Sequence, residues 1–222
     1  MPLVVVLLIL GVAGASQLRT MPGVQEFIVR YPGIPPSPQA VYSGFPLWLR
    51  AQHFFNLFFL MFIIRAGIQI LADHPRLYWR RDSTPGTEWF RLQHEVPKDR
   101  IWTSKDDSVT IPKWLGIPGL RHSIGLARWW HFSFDLLWLI NGAIFYVLLF
   151  TTDQWQRLVP TTWAVFPNAL STAIQYGSLQ FPVDSTWTHY NGLHQLAYFV
   201  TVFIAAPLAI ITGLIQGPAL AD

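Results

Sequence analysis

Three stretches of this chain are apolar for longer than the roughly 18 residues at which a membrane-spanning helix displaces a buried-core reading. They run from about Leu47 to Leu71, from about Leu126 to Phe150 and from about Tyr190 to Gln216. Only 12% of the 222 residues are charged, against roughly 25% in an ordinary soluble domain. A fourth run, Leu3 to Leu18, would reach about 24 Å as a helix, short of a hydrocarbon core of about 30 Å. A signal peptide competes for this segment, because Ala13-Gly14-Ala15 has the form of a cleavage site. No Lys or Arg precedes it, however, so it is read as a membrane helix. The expected fold is an all-α membrane protein: one integral domain over 1–222, a four-helix transmembrane bundle, and a large polar loop over 72–125.

The rest of the chain connects these helices. Pro32, Pro35, Pro36, Pro38 and Pro46 make 31–46 an extended connector. The segment Thr151 to His189 is read as a loop, and Pro207 as a kink in the last helix. Ten of the fifteen Lys and Arg residues fall between Arg76 and Arg128, while the 151–189 segment carries only Arg157. The positive-inside rule then puts the 72–125 loop and both termini in the cytoplasm. Trp48, Trp79, Trp129, Trp130, Trp155 and Trp187 sit near helix ends, as an interfacial belt requires.

Several function classes drop out. The absence of cysteine removes disulfides, iron–sulfur clusters, thiolate zinc and covalent c-type haem attachment. A net charge of +3 without a long basic run gives no footprint for nucleic acid. No phosphate loop, nucleophile motif or metal-hydrolase spacing points to a soluble enzyme.

Ionisable side chains inside the spans mark function by default. His53, His131 and His194 each fall in the first turns of a different span; Arg65 and Asp135 are also within spans. Neutral imidazole binds haem iron, and its second ring nitrogen can be held by a backbone carbonyl. Chlorophyll magnesium accepts the same ligand, and an interhelical hydrogen bond is the bland alternative for any one of them. Gly67, Gly142 and Gly213 would leave room for a macrocycle. At the helical rise, His53 and His194 lie about 9 and 6 Å from the outer side, and His131 about 7 Å from the inner side. The histidines thus form an outer and an inner level, and His53 with His194 is the expected outer ligand pair. Arg65, near the depth of His131, needs an anion: a haem propionate or Asp135. Asp135 could equally relay protons for a quinone. His74, His94 and His122 fall in the large loop and His189 at the start of the last helix.

The stretches RAQHFFNLFFLMFIIRAGIQI (50–70) and RWWHFSFDLLWLINGAIFYVLLF (128–150) resemble the first two haem-ligating helices of prokaryotic di-haem b-type cytochromes. That group includes cytochrome b561-like, Ni-hydrogenase and formate-dehydrogenase membrane subunits. The stretch YNGLHQLAYFVTVFIAAPLAIITGLIQGPAL (190–220) resembles the third helix of the branch associated with thiosulfate reductase or molybdopterin oxidoreductases. Over roughly 22–222, the resemblance implies an electron-transfer subunit of the prokaryotic cytoplasmic membrane rather than a stand-alone enzyme. It would hold one or two haem b groups and pass electrons between a quinone pool and an oxidoreductase partner. By position, His53 and His131 match haem ligands of the family. The branch usually has Gln where this chain has His194, and it continues into a further ligand-bearing helix beyond the equivalent of Asp222. The alternative implied is a degenerate relative kept as a structural, pigment-binding subunit of a larger membrane complex.

Overall fold

The computed structural model describes residues 2–35, 44–73, 75–80, 84, 86–92, 95–97, 99–109, 124–181 and 190–216. His74, His94, His122 and His189, with Trp114 and Trp187, lie outside the described residues. Four helices are long and apolar enough to cross a membrane: α1 (Pro2–Thr20), α3 (Leu47–Asp73), α5 (Ile124–Thr151) and the segment Gly192–Ile215. The chain is a mainly helical membrane protein. It divides into two compact units, a central one of Trp48–Phe145 and a terminal one of Met1–Leu47 with Tyr146–Asp222.

In the central unit, α3 and the first part of α5 run antiparallel. Trp48 meets Phe145 with ring centroids 6.4 Å apart. Trp138 Nε1 donates to Asn56 Oδ1 at 2.6 Å. His131 Nδ1 lies 3.1 Å from the carbonyl of Ile63. The numbers of each facing pair sum to about 194, which fixes the register along the whole contact. Large side chains make that contact. Phe62 stacks on Phe134 at 4.5 Å and Trp130 on Phe134 at 5.2 Å, leaving Phe134 buried. Lipid tails are as apolar as these rings, so association rests on packing and polar contacts rather than on escape from water.

The expected loop after α3 is a small folded module. Strands β1 (Arg76–Leu77) and β2 (Phe90–Arg91) pair antiparallel, Arg76 opposite Arg91 and Leu77 opposite Phe90. A single-turn helix, α4 (Ser104–Asp107), follows. Arg76 is buried and bonds both Asp107 and Glu88. The hydrogen bonds with Asp107, followed by the opposite charges of Asp107 and Glu88, raise the Arg76 pKa against its burial. Glu88 is held below the usual carboxylate range by its own backbone N–H, that of Gly86, and the Arg76 charge. Paired in this way, the buried charges avoid the several kcal/mol that isolated ones would cost.

The terminal unit corrects the reading of 151–189 as a loop. It contains a 3-10 turn, Gln154–Arg157, and a 13-residue helix, α6 (Val165–Gly177). Val165, Asn168, Ala169 and Thr172 recur at helical spacing and are buried. Half of this face is small and polar, so hydropathy gives no warning of it. The face docks on α1 and on α7 (Gly192–Val200). A Cβ at Gly192 would fall 2.7 Å from the Val165 carbonyl, so only glycine lets α7 start this close to α6. Asn168 Oδ1 accepts from Gly33 N–H, and the Gly33 carbonyl accepts from Gly192 N–H, tying the 31–35 segment into the same knot. A short helix with Pro at its first turn, α2 (Pro22–Arg30), follows α1.

The last span is not continuous α-helix. Between α7 and α8 (Ala206–Gln216) lies a π-helical turn, Thr201–Ala205, closed by Ala206 N–H to the Thr201 carbonyl. Pro207 lacks an N–H, and the widened turn ahead of it is where the ladder absorbs that loss.

Candidate functional site

Gly67 determines how His131 is held. A Cβ there would stand 3.3 Å from His131 Cε1. Without it, the imidazole lies against α3 and its Nδ1 reaches the Ile63 carbonyl. A carbonyl can only accept, so Nδ1 carries a proton, and in the neutral ring the lone pair is on Nε2. The room expected at Gly67 for a macrocycle is therefore taken up by His131 itself. At Gly142 and Gly213 an added Cβ would meet nothing within 4 Å.

His131 Nε2 lies 3.7 Å from Asp135 Oδ2, one turn on along α5 and beyond hydrogen-bonding distance. Arg65 was expected to face Asp135 or a propionate. The structure gives it a partner on its own helix, Gln69 Oε1, at 3.1 Å. Gln69 is one turn from Arg65, an i,i+4 neighbour that hydropathy does not single out. Arg65 matches the depth of Ile63 and Gly67, but at two residues from each it leaves α3 on the side away from His131. Trp130 Nε1, beside His131 in the chain, is buried with no hydrogen-bond partner among the described residues. An indole N–H can only donate, so this level holds a donor whose acceptor the described residues do not supply.

His53 is exposed on α3 and stands ten residues from Ile63, about 15 Å along the helix. The register sets it level with Asn141 and Gly142 on α5. The two histidines of the central unit thus occupy two levels, as their depths in the sequence implied, and they cannot share one ligand.

His194 belongs to the terminal unit. Its backbone N–H is capped by Asn191 Oδ1 at 2.8 Å, and Asn191 Nδ2 donates to Tyr176 Oη at 2.8 Å. The ring sits 5.9 Å from that of Tyr176 and 6.2 Å from that of Tyr190. Burial pushes the Tyr190 hydroxyl up to about 12, so it stays protonated throughout the physiological range. Tyr176, Tyr190 and Asn191 were not singled out from the sequence. Their role depends on α6 packing against α7, and only the Asn-Gly start of α7 hints at a cap.

Among the described residues, no group of three or more His, Asp or Glu side chains converges as a metal site. A haem can be held by imidazole alone and needs no such group. The metal ligands on offer are imidazoles, and at the His131 level an oriented ring stands with the indole N–H of Trp130, which has no partner among the described residues.

No family model, no curated protein and no solved structure matches this chain.

Proposed function

We propose that this protein is a membrane b-type cytochrome of the prokaryotic cytoplasmic membrane. It would pass electrons between a quinone pool and an oxidoreductase partner. The observation that carries the reading is the His131 imidazole: Nδ1 on the Ile63 carbonyl fixes the ring and its tautomer and leaves Nε2 as the basic atom. That is the outer-shell arrangement by which proteins prepare a histidine for a metal.

His131 and His53 would ligate iron at two levels of the central unit, and His194 is a third candidate ligand in the terminal unit. Haem, when bound, supplies one-electron redox chemistry at a potential that the protein sets. The chain's own residues do the rest. Gly67 admits the imidazole, Ile63 orients it, and the Trp130 N–H would donate to a carboxylate at the same level, with Arg65 a charge at that depth on the other side of α3. Asp135, close to His131 Nε2, would take up or release a proton as the charge at that level changes.

The second reading is a structural subunit derived from such a cytochrome. The 3.7 Å approach of Asp135 to His131 Nε2 favours it, because a carboxylate already stands beside the nitrogen that a metal would take. A dithionite-reduced minus oxidised spectrum of the purified protein separates the two. A low-spin b-type Soret and α-band supports the cytochrome; a flat difference spectrum after expression with ample haem refutes it. His131→Ala should remove one haem component, and His194→Gln tests whether His194 ligates.

A further inference from the structure

We infer that the β1–β2 hairpin rests on the membrane surface, its indoles Trp79 and Trp89 seated among the headgroups of an anionic lipid leaflet. The two rings stack on each other, with centroids 5.3 Å apart and planes at 29°. They are 81% and 52% exposed, although each is a large apolar side chain that water solvates poorly. A stacked pair left uncovered is ordered for some contact.

Its place in the fold says which. Trp89 N–H bonds the Leu77 carbonyl just past the ladder, and Leu92 N–H bonds the Pro75 carbonyl. Val109 N–H bonds the carbonyl of Ala72, which is buried in the last turn of α3. The buried Arg76–Glu88–Asp107 network locks the hairpin from within. The indoles are therefore fastened to the end of a membrane span rather than carried on a free loop. Helix α3 has 27 residues, about 40 Å in length, which matches a bilayer of about 40–45 Å with its headgroups. Asp73 then lies in the headgroup zone, and Trp79, six residues on, is within about 21 Å of it even fully extended. Indole rings favour that zone, where the ring is covered and its N–H still finds an acceptor. The charge is complementary as well. Arg80, next to Trp79, is exposed, and Arg91 keeps 41% of its side chain exposed beside its carboxylate partners. Continuity with the membrane span and a basic edge favour lipid over a protein partner as the occupant.

The chain has no cysteine, so a single introduced thiol takes a nitroxide label alone. Trp79→Cys, Trp89→Cys and, as a control on the exposed Glu95, Glu95→Cys would be labelled in the full chain. The protein would be reconstituted in vesicles of phosphatidylcholine and phosphatidylglycerol. Collision with oxygen, which concentrates in lipid, is compared with collision with a water-soluble nickel chelate. The expected result is a several-fold lower nickel-to-oxygen ratio at 79 and 89 than at 95, with a smaller difference in phosphatidylcholine alone. Equal ratios at all three positions would overturn the inference. So would labels at 79 and 89 that neither reagent reaches, since a protein and not lipid would then cover the indoles. The label at 89 decides the matter if the variant at 79 does not fold.

Discussion

The hydroxyl of Tyr146 donates its hydrogen bond to the carbonyl of Val202. In the π-helical turn each carbonyl is served by the N–H five residues on, and for Val202 that residue is Pro207, which has none. Tyr146 thus supplies, from α5, the donor that proline removes from the last span. A non-helical turn inside a membrane is tolerated when a neighbouring side chain satisfies the freed backbone group. Tyr146→Phe should lower stability by about 1–2 kcal/mol, the cost of leaving a half-buried carbonyl without its donor. Pro207→Ala restores an N–H and should abolish most of that penalty. A double-mutant cycle in detergent unfolding checks it; additive effects would refute the coupling.

Gly67 is predicted to be intolerant of bulk in proportion to what it adds. Gly67→Ala brings a methyl to 3.3 Å from the His131 ring, which a small shift accommodates. Gly67→Val should drive the imidazole off the Ile63 carbonyl. Under the cytochrome reading, the low-spin signal assigned to His131 is kept in the first variant and lost in the second, as read by electron paramagnetic resonance of the oxidised protein.

Acid should loosen the hairpin before it harms the spans. The Glu88 pKa is depressed in the folded state. Its contribution is therefore complete above the ordinary carboxylate value of about 4.3 and is lost as the pH falls through the lower folded value. The raised Arg76 pKa acts in the opposite sense, its contribution being lost only at very high pH. Protection of the Trp89 and Leu92 amides against hydrogen exchange should be steady from neutral pH down to the carboxylate range and fall below it. Glu88→Gln should remove that pH dependence.

Removing Arg76 is expected to be worse than removing its partners together. Arg76→Met leaves Asp107 buried without its cation and Glu88 with the more exposed Arg91, a cost of about 3–5 kcal/mol. The triple change with Glu88→Gln and Asp107→Asn should recover part of it. Limited proteolysis of residues 75–109 in the purified protein reads the order.

The basic residues between Arg76 and Arg128 predict that the hairpin faces the cytoplasm. Ile101 is 93% exposed, so Ile101→Cys should resist an impermeant thiol reagent in intact cells and react once the cells are opened. Ready labelling of intact cells would reverse the orientation.

The sequence alone determined the spans. Leu47–Asp73 and Ile124–Thr151 fall within two residues of where apolar run length put them, because hydrocarbon has no water to satisfy a broken backbone and forces a helix wherever a run is long enough. It also placed His53 and His131 at separate levels, since helical rise converts residue number directly into depth. Helix α6 could not be read this way: its buried face is Val165, Asn168, Ala169 and Thr172 rather than leucines, and Asn168 Oδ1 is satisfied there by the N–H of Gly33, 135 positions away. Arg76 was one of ten basic residues in a polar stretch until the chain brought Asp107, 31 positions away, against it. Gly67 offered space in the sequence, and only the packing of α5 on α3 decided that His131 fills it. Composition and period act along the chain and are legible there. Which donor meets which acceptor depends on segments that approach only after folding, and that was decided by the tertiary structure.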